Sequence, residues 1–130
     1  VPHTLSNPDE PHDPTGYGCS HVAATTGDLV FIAGQYGCDR DGQLVSDCFA
    51  DQVDRAYANL GAALRAVGLD YHHVVRLGTY VVDHDADRLP ILRDHIARIW
   101  GDKPPVQTLL GVATLALPGM LFEVDAVAAR

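Results

Sequence analysis

The side chains best suited to acid–base chemistry stand in one late stretch, Leu121-Phe122-Glu123-Val124-Asp125-Ala126-Val127. Strand alternation would put Phe122, Val124 and Ala126 on one face and Leu121, Glu123, Asp125 and Val127 on the other, with the two carboxylates roughly 7 Å apart. Two carboxylates on a face withdrawn from water are costly unless they are paired or used. The residues alone leave two accounts open, a salt-bridged or hydrogen-bonded network across subunits and an acid–base function, and they lean towards the network.

Other reactive residue types are scattered. His72 and His73 are adjacent, and neighbours along a strand or helix do not face one site. Asp83-His84-Asp85 reads as a capping turn between a strand and a helix. Cys19, Cys38 and Cys48 have neither a CxxC nor a zinc-ligand spacing, so no metal is indicated. Free thiols in a reducing, cytoplasmic compartment are the expectation. The sequence holds no GxGxxG, P-loop, GxSxG or HExxH, which removes the main support for nucleotide-binding, triad and zincin readings.

The scaffold that must position these groups is read from periodicity. A chain of 130 residues suits one domain. Residues 1–16, with Pro2, Pro8, Pro11 and Pro14, predict an extended arm that is neither helix, central strand nor signal peptide. Residues 17–130 predict a single domain. Leu29–Ala33, inside Asp28–Gly37, has strand length, and Asp41-Gly42 supplies a turn, with a short extra strand near Gln43–Val45. Val53, Tyr57, Leu60, Leu64 and Val67 form one helical stripe, capped by Ser46 or Asp47 and ended at Gly68. Val74–Val82 is a β-branched strand. Leu89, Leu92, Ile96 and Ile99 mark a second helix with Pro90 in its first turn and Gly101 and Pro104-Pro105 after it. Val106–Leu117 and Leu121–Ala129 read as strands joined by Pro118-Gly119. The order is β-β-α-β-α-β-β, an α+β fold with a mixed sheet.

Layers and charge then limit what the domain can be. Two helices cover only one face of such a sheet, yet Leu29–Ala33 and Leu109-Leu110 are apolar on both faces, which predicts a homo-oligomer packed through the open face. Nine basic against seventeen acidic residues give a net charge of −8. This argues against nucleic acid as a partner, and no stretch approaches a membrane span.

Tyr17-Gly-Cys-Ser20-His21, Gly27-Asp-Leu-Val-Phe-Ile-Ala-Gly-Gln35, the helix from Gln52 to Gly68, Val74-Val75-Arg76-Leu77, Pro105-Val106-Gln107-Thr108 and Leu117-Pro-Gly-Met-Leu-Phe-Glu-Val-Asp125 together resemble the Rid family. These are the reactive-intermediate deaminases, also called YjgF-like. The resemblance implies a chorismate-mutase-like fold and a homotrimeric barrel with small-molecule clefts between subunits. It also implies cofactor-free hydrolysis of enamines and imines. It implies further that Glu123 places the attacking water, that Tyr17 sits at the cleft mouth, and that Cys19, Ser20 and His21 line the pocket. Gln107, with Thr108 beside it, falls where a P-x-R motif puts a carboxylate-gripping arginine. A neutral amide there loses on the order of 2–5 kcal/mol of such an interaction, which puts activity on small 2-imino acids in question. Glu123, with His21 as a second titrating group, is then the acid–base candidate for some other enamine or imine. The alternative is a non-catalytic ligand-binding or chaperone-like trimer. A ribonuclease, an activity attached to some family names, fits the charge least.

Overall fold

Val74–Val82 and Phe122–Ala129, the most continuously apolar and β-branched segments, become the inner strands of a four-stranded sheet. The computed structural model describes residues 3–8, 10 and 12–130. Its elements are β1 (Thr4–Ser6), β2 (Val22–Ala24), β3 (Leu29–Tyr36), α1 (Phe49–Ala66), β4 (Val74–Val82), α2 (Leu89–Trp100), β5 (Val106–Val112) and β6 (Phe122–Ala129). The sheet order is β3-β6-β4-β5. β6 runs antiparallel to β3 and β4, while β4 and β5 are parallel, so each helix is a crossover between parallel strands. Both helices pack on one face, with Val53, Tyr57, Leu60 and Leu64 of α1 and Leu92, Ile96 and Trp100 of α2 against Leu77, Val81, Phe122 and Val124. This is the predicted α+β mixed-sheet architecture.

Several local expectations are corrected. Val67 leaves the α1 stripe and is exposed, because Gly68 (φ +77°) reverses the chain and sends Leu69 into the core instead. Neither Ser46 nor Asp47 is the N-cap of α1. Cys48 occupies it, and the Ser46 hydroxyl accepts from the Cys48 N–H (2.9 Å) and donates to Asp51 in the first turn (2.8 Å). Ile99 is only partly buried, and His95 takes a buried place on α2, stacked on Tyr57. Gln43–Val45 forms no strand, only a bridge between Cys38 and Leu44. Strand β5 stops at Val112, and residues 113–121 carry the chain across so that β4 lies between β5 and β6.

The loop before β6 is fastened by a buried glutamine. Gln52 donates to the carbonyls of Ser46 and Gly119 (3.0 Å each) and accepts from the Leu121 N–H (2.8 Å). At the chain start, Pro2 and Pro11 lie outside the described residues. Strand β1 pairs with β2, and Thr15–Tyr17 is one turn of 3₁₀ helix. The sheet face away from the helices is bare in the single chain: Phe31 is 74% exposed and Leu29 and Leu110 are each 50% exposed.

Candidate functional site

On β6 the alternation holds: Phe122, Val124 and Ala126 are buried under the helices, and Glu123, Asp125 and Val127 are on the open face. Cross-strand register supplies their neighbours. Glu123 is flanked by Tyr36 on β3 and Tyr80 on β4, Asp125 by Gly78, and Val127 by Phe31 and Arg76. The Tyr80 hydroxyl donates to Asp125 (2.9 Å), and the Arg76 guanidinium lies 3.7 Å from the other Asp125 oxygen.

The two carboxylates therefore have unequal surroundings. Asp125 has a cation and a phenol, whereas among the described residues nothing is hydrogen-bonded to or ion-paired with Glu123. Partial burial, and then the negative charge of Asp125, raise the Glu123 carboxyl above its usual range. The hydrogen bond to Asp125, then burial, push the Tyr80 phenol upward as well. Two strand glycines make the room. A Cβ on Gly34 would come within 2.6 Å of the Glu123 carboxyl carbon, and one on Gly78 would overlap Asp125 and the Tyr80 hydroxyl. Gly34 also sits in a β-bulge between Ile32 and Gln35.

A second constellation lies on the helix side. Tyr17, Cys19 and Gln107 meet Leu89, Leu92, Arg93, Ile96 and Leu109 around a pocket of about 150 Å³. The Gln107 carboxamide accepts from the Thr79 hydroxyl and donates to the Gly18 carbonyl, both at 2.8 Å, so it ties the 3₁₀ turn to the sheet. Burial raises the Cys19 thiol, which favours the uncharged form.

The remaining predicted site residues stand elsewhere. Ser20 is buried, donates to the Pro104 carbonyl (2.6 Å) and borders a different cavity of about 550 Å³ beside Trp100 and Lys103. The His21 ring bonds the His12 carbonyl (2.6 Å), and its backbone N–H bonds the Asn7 side chain (2.7 Å). Thr108 is exposed and is the register partner of Gly78. Within one chain Glu123 and Gln107 do not converge, since they project from opposite sides of the sheet.

Sequence reasoning passed over Gly34, Tyr36, Arg76, Gly78, Tyr80 and Arg93. A glycine inside an apolar strand signals a bulge or a close approach, so Gly34 and Gly78 carried a readable sign. Cross-strand partners carry none. Among the described residues no three His, Cys, Asp or Glu side chains gather to hold a metal ion.

A family model described as Endoribonuclease L-PSP matches residues 11–130. The human protein 2-iminobutanoate/2-iminopropanoate deaminase is 34% identical over 101 residues, covering 76% of this chain and 71% of its own. The RutC family protein YjgH of Escherichia coli is 31% identical over 107 residues, covering 82% and 79% respectively. Among solved structures, YyfB of Yersinia pestis, a Rid-family protein of unknown function, superposes with a TM-score of 0.94 at 32% identity over 100% of both chains.

Proposed function

This chain belongs to the Rid, or YjgF-like, family, and we propose that it is a cofactor-independent hydrolase of enamines or imines working in clefts between the subunits of a homotrimer. Glu123 carries the reading: a half-buried carboxylate, unpaired among the described residues, whose proton is held more tightly than usual and for which Gly34 leaves space. Such a group can give a proton to the enamine carbon or imine nitrogen and take one back from the attacking water. Water adds to the carbon, the C–N bond breaks, and ammonia leaves with the transferred protons as a carbonyl forms. A single chain separates Glu123 from the Tyr17–Gln107 pocket by the thickness of the sheet. Two chains in a ring can set one subunit's Glu123 against its neighbour's pocket.

The human relative's name specifies 2-iminobutanoate and 2-iminopropanoate. Here Gln107 is neutral and both ends of its amide are engaged, so those small imino acids should be hydrolysed slowly or not at all. The locked amide also favours a second reading, a trimer that binds a ligand without catalysis. Endoribonuclease action, in the family model's description, sits poorly with a charge of −8.

The test generates a panel of imines with an amino-acid oxidase, with semicarbazide as a competing trap. Wild type should release ammonia from a larger imine well above the buffer rate, and Glu123→Gln should lower that rate about 10²-fold. Ligand binding without acceleration on any imine would establish the second reading instead.

A further inference from the structure

Helix α2 brings to the pocket the cation that residue 107 lacks. Leu89, Arg93 and Ile96 fall at i, i+4 and i+7, so they share one face of α2, and all three line the pocket with Tyr17, Cys19 and Gln107. That face packs against Gly18 at ordinary contact distance: a Cβ there would stand 3.6 Å from the Arg93 Cγ and 3.5 Å from the Ile96 Cγ2. The other arginines nearby are engaged. Arg88 donates to the Val82 carbonyl and lies over the Phe49 ring, and Arg98 pairs with Asp94. Among the described residues Arg93 has neither a hydrogen-bond acceptor nor an ion-pair partner, and it is exposed at the rim.

A free guanidinium above a pocket walled by Leu89, Leu92, Ile96 and Leu109 suits an anion with an apolar tail. The arginine stem can lie along the apolar wall while its planar fork takes two carboxylate oxygens. We infer that Arg93 anchors a monocarboxylate whose apolar body fills the pocket. The gripping cation would thus come from the helix rather than from the strand. The roughly 150 Å³ fits a body about the size of a benzene ring. The inference rests on the proposed use of this pocket as one wall of the ligand cleft. It also specifies the substrate class: an imino or enamino acid longer than the small ones, because its carboxylate is held from a different side.

The experiment titrates isotopically labelled protein with benzoate and, separately, with uncharged benzamide, following backbone amide resonances. Benzoate should shift the signals of Tyr17, Cys19 and Gln107. Arg93→Gln should raise its Kd about tenfold or more, Arg93→Lys should restore part of the loss, and benzamide should bind wild type and Arg93→Gln alike. Benzoate that fails to bind wild type, binds Arg93→Gln equally well, or shifts only the residues around Lys103 would overturn the inference. The two proposals fail separately. Arg93-dependent benzoate binding in a protein that hydrolyses no imine leaves the anchor standing without the activity. Hydrolysis of a carboxylate-bearing imine with the same KM in Arg93→Gln leaves the activity without the anchor.

Discussion

Glu123 and Asp125 are two residues apart on one strand, and their surroundings differ. Arg76 and Tyr80 satisfy Asp125, while Glu123 keeps its proton to a higher pH than an ordinary glutamate. The sign of the stability effect follows. A carboxyl whose folded pKa is raised contributes its full stabilisation below the unfolded value and loses it as pH rises through the folded one. Glu123→Gln should therefore melt no lower than wild type at pH 7, and its advantage should shrink as the pH falls through the raised folded value towards about 4.5, with no further change below that. Thermal melts of both proteins from pH 3.5 to 8 check this, and a Gln variant less stable at neutral pH would mean that the charge is structurally paired. The open-face placement of Glu123 was legible in the sequence because strand alternation is local. Its phenolic neighbours Tyr36 and Tyr80 were not, since they lie more than forty positions away and only register joins them.

At the level of elements, the glycines of β3 and β4 are spacers for the carboxylates of β6. Gly34→Ala should displace the Glu123 carboxyl and cut imine turnover as severely as Glu123→Gln, at little cost in stability because the group that must move is the end of a flexible side chain. Kinetics and a urea titration on that variant measure both, and unchanged turnover would show that Glu123 does not need the space. Strands β4 and β6 and both helices were readable from period and breakers, because each signal lies within its own segment. The order of strands was not. Val106–Leu117 and Leu121–Ala129 read as consecutive strands, yet β4 separates them, and the loop that allows this is held by Gln52 from a helix about seventy residues earlier. Gln52→Leu strands the Ser46 and Gly119 carbonyls and the Leu121 N–H, and should cost about 2–4 kcal/mol in a urea melt. A loss below 0.5 kcal/mol would mean that water replaces the amide.

At the scale of the whole molecule, the sheet has one covered face and one bare one. The bare face is apolar at its edges, with Leu29, Phe31 and Leu110 around the carboxylates, and a face of that kind is rarely left to water. The expected assembly is a homotrimer closed through these faces, which light scattering at micromolar concentration would report as about three times 14.0 kDa. Phe31 is the sharpest probe. It is 74% exposed in the single chain, so Phe31→Glu removes little packing within the fold. In a buried interface the same change sets an unpaired charge opposite Val127 and on the same face as Asp125, a penalty of several kcal/mol at each of the contacts it enters. The variant should keep the wild-type circular dichroism spectrum, sediment as a monomer and lose imine hydrolysis, because the proposed cleft takes Glu123 from one subunit and the Tyr17–Gln107 pocket from the next. A Phe31→Glu trimer would show that the subunits meet elsewhere. A monomer with full activity would show that one chain holds the whole site.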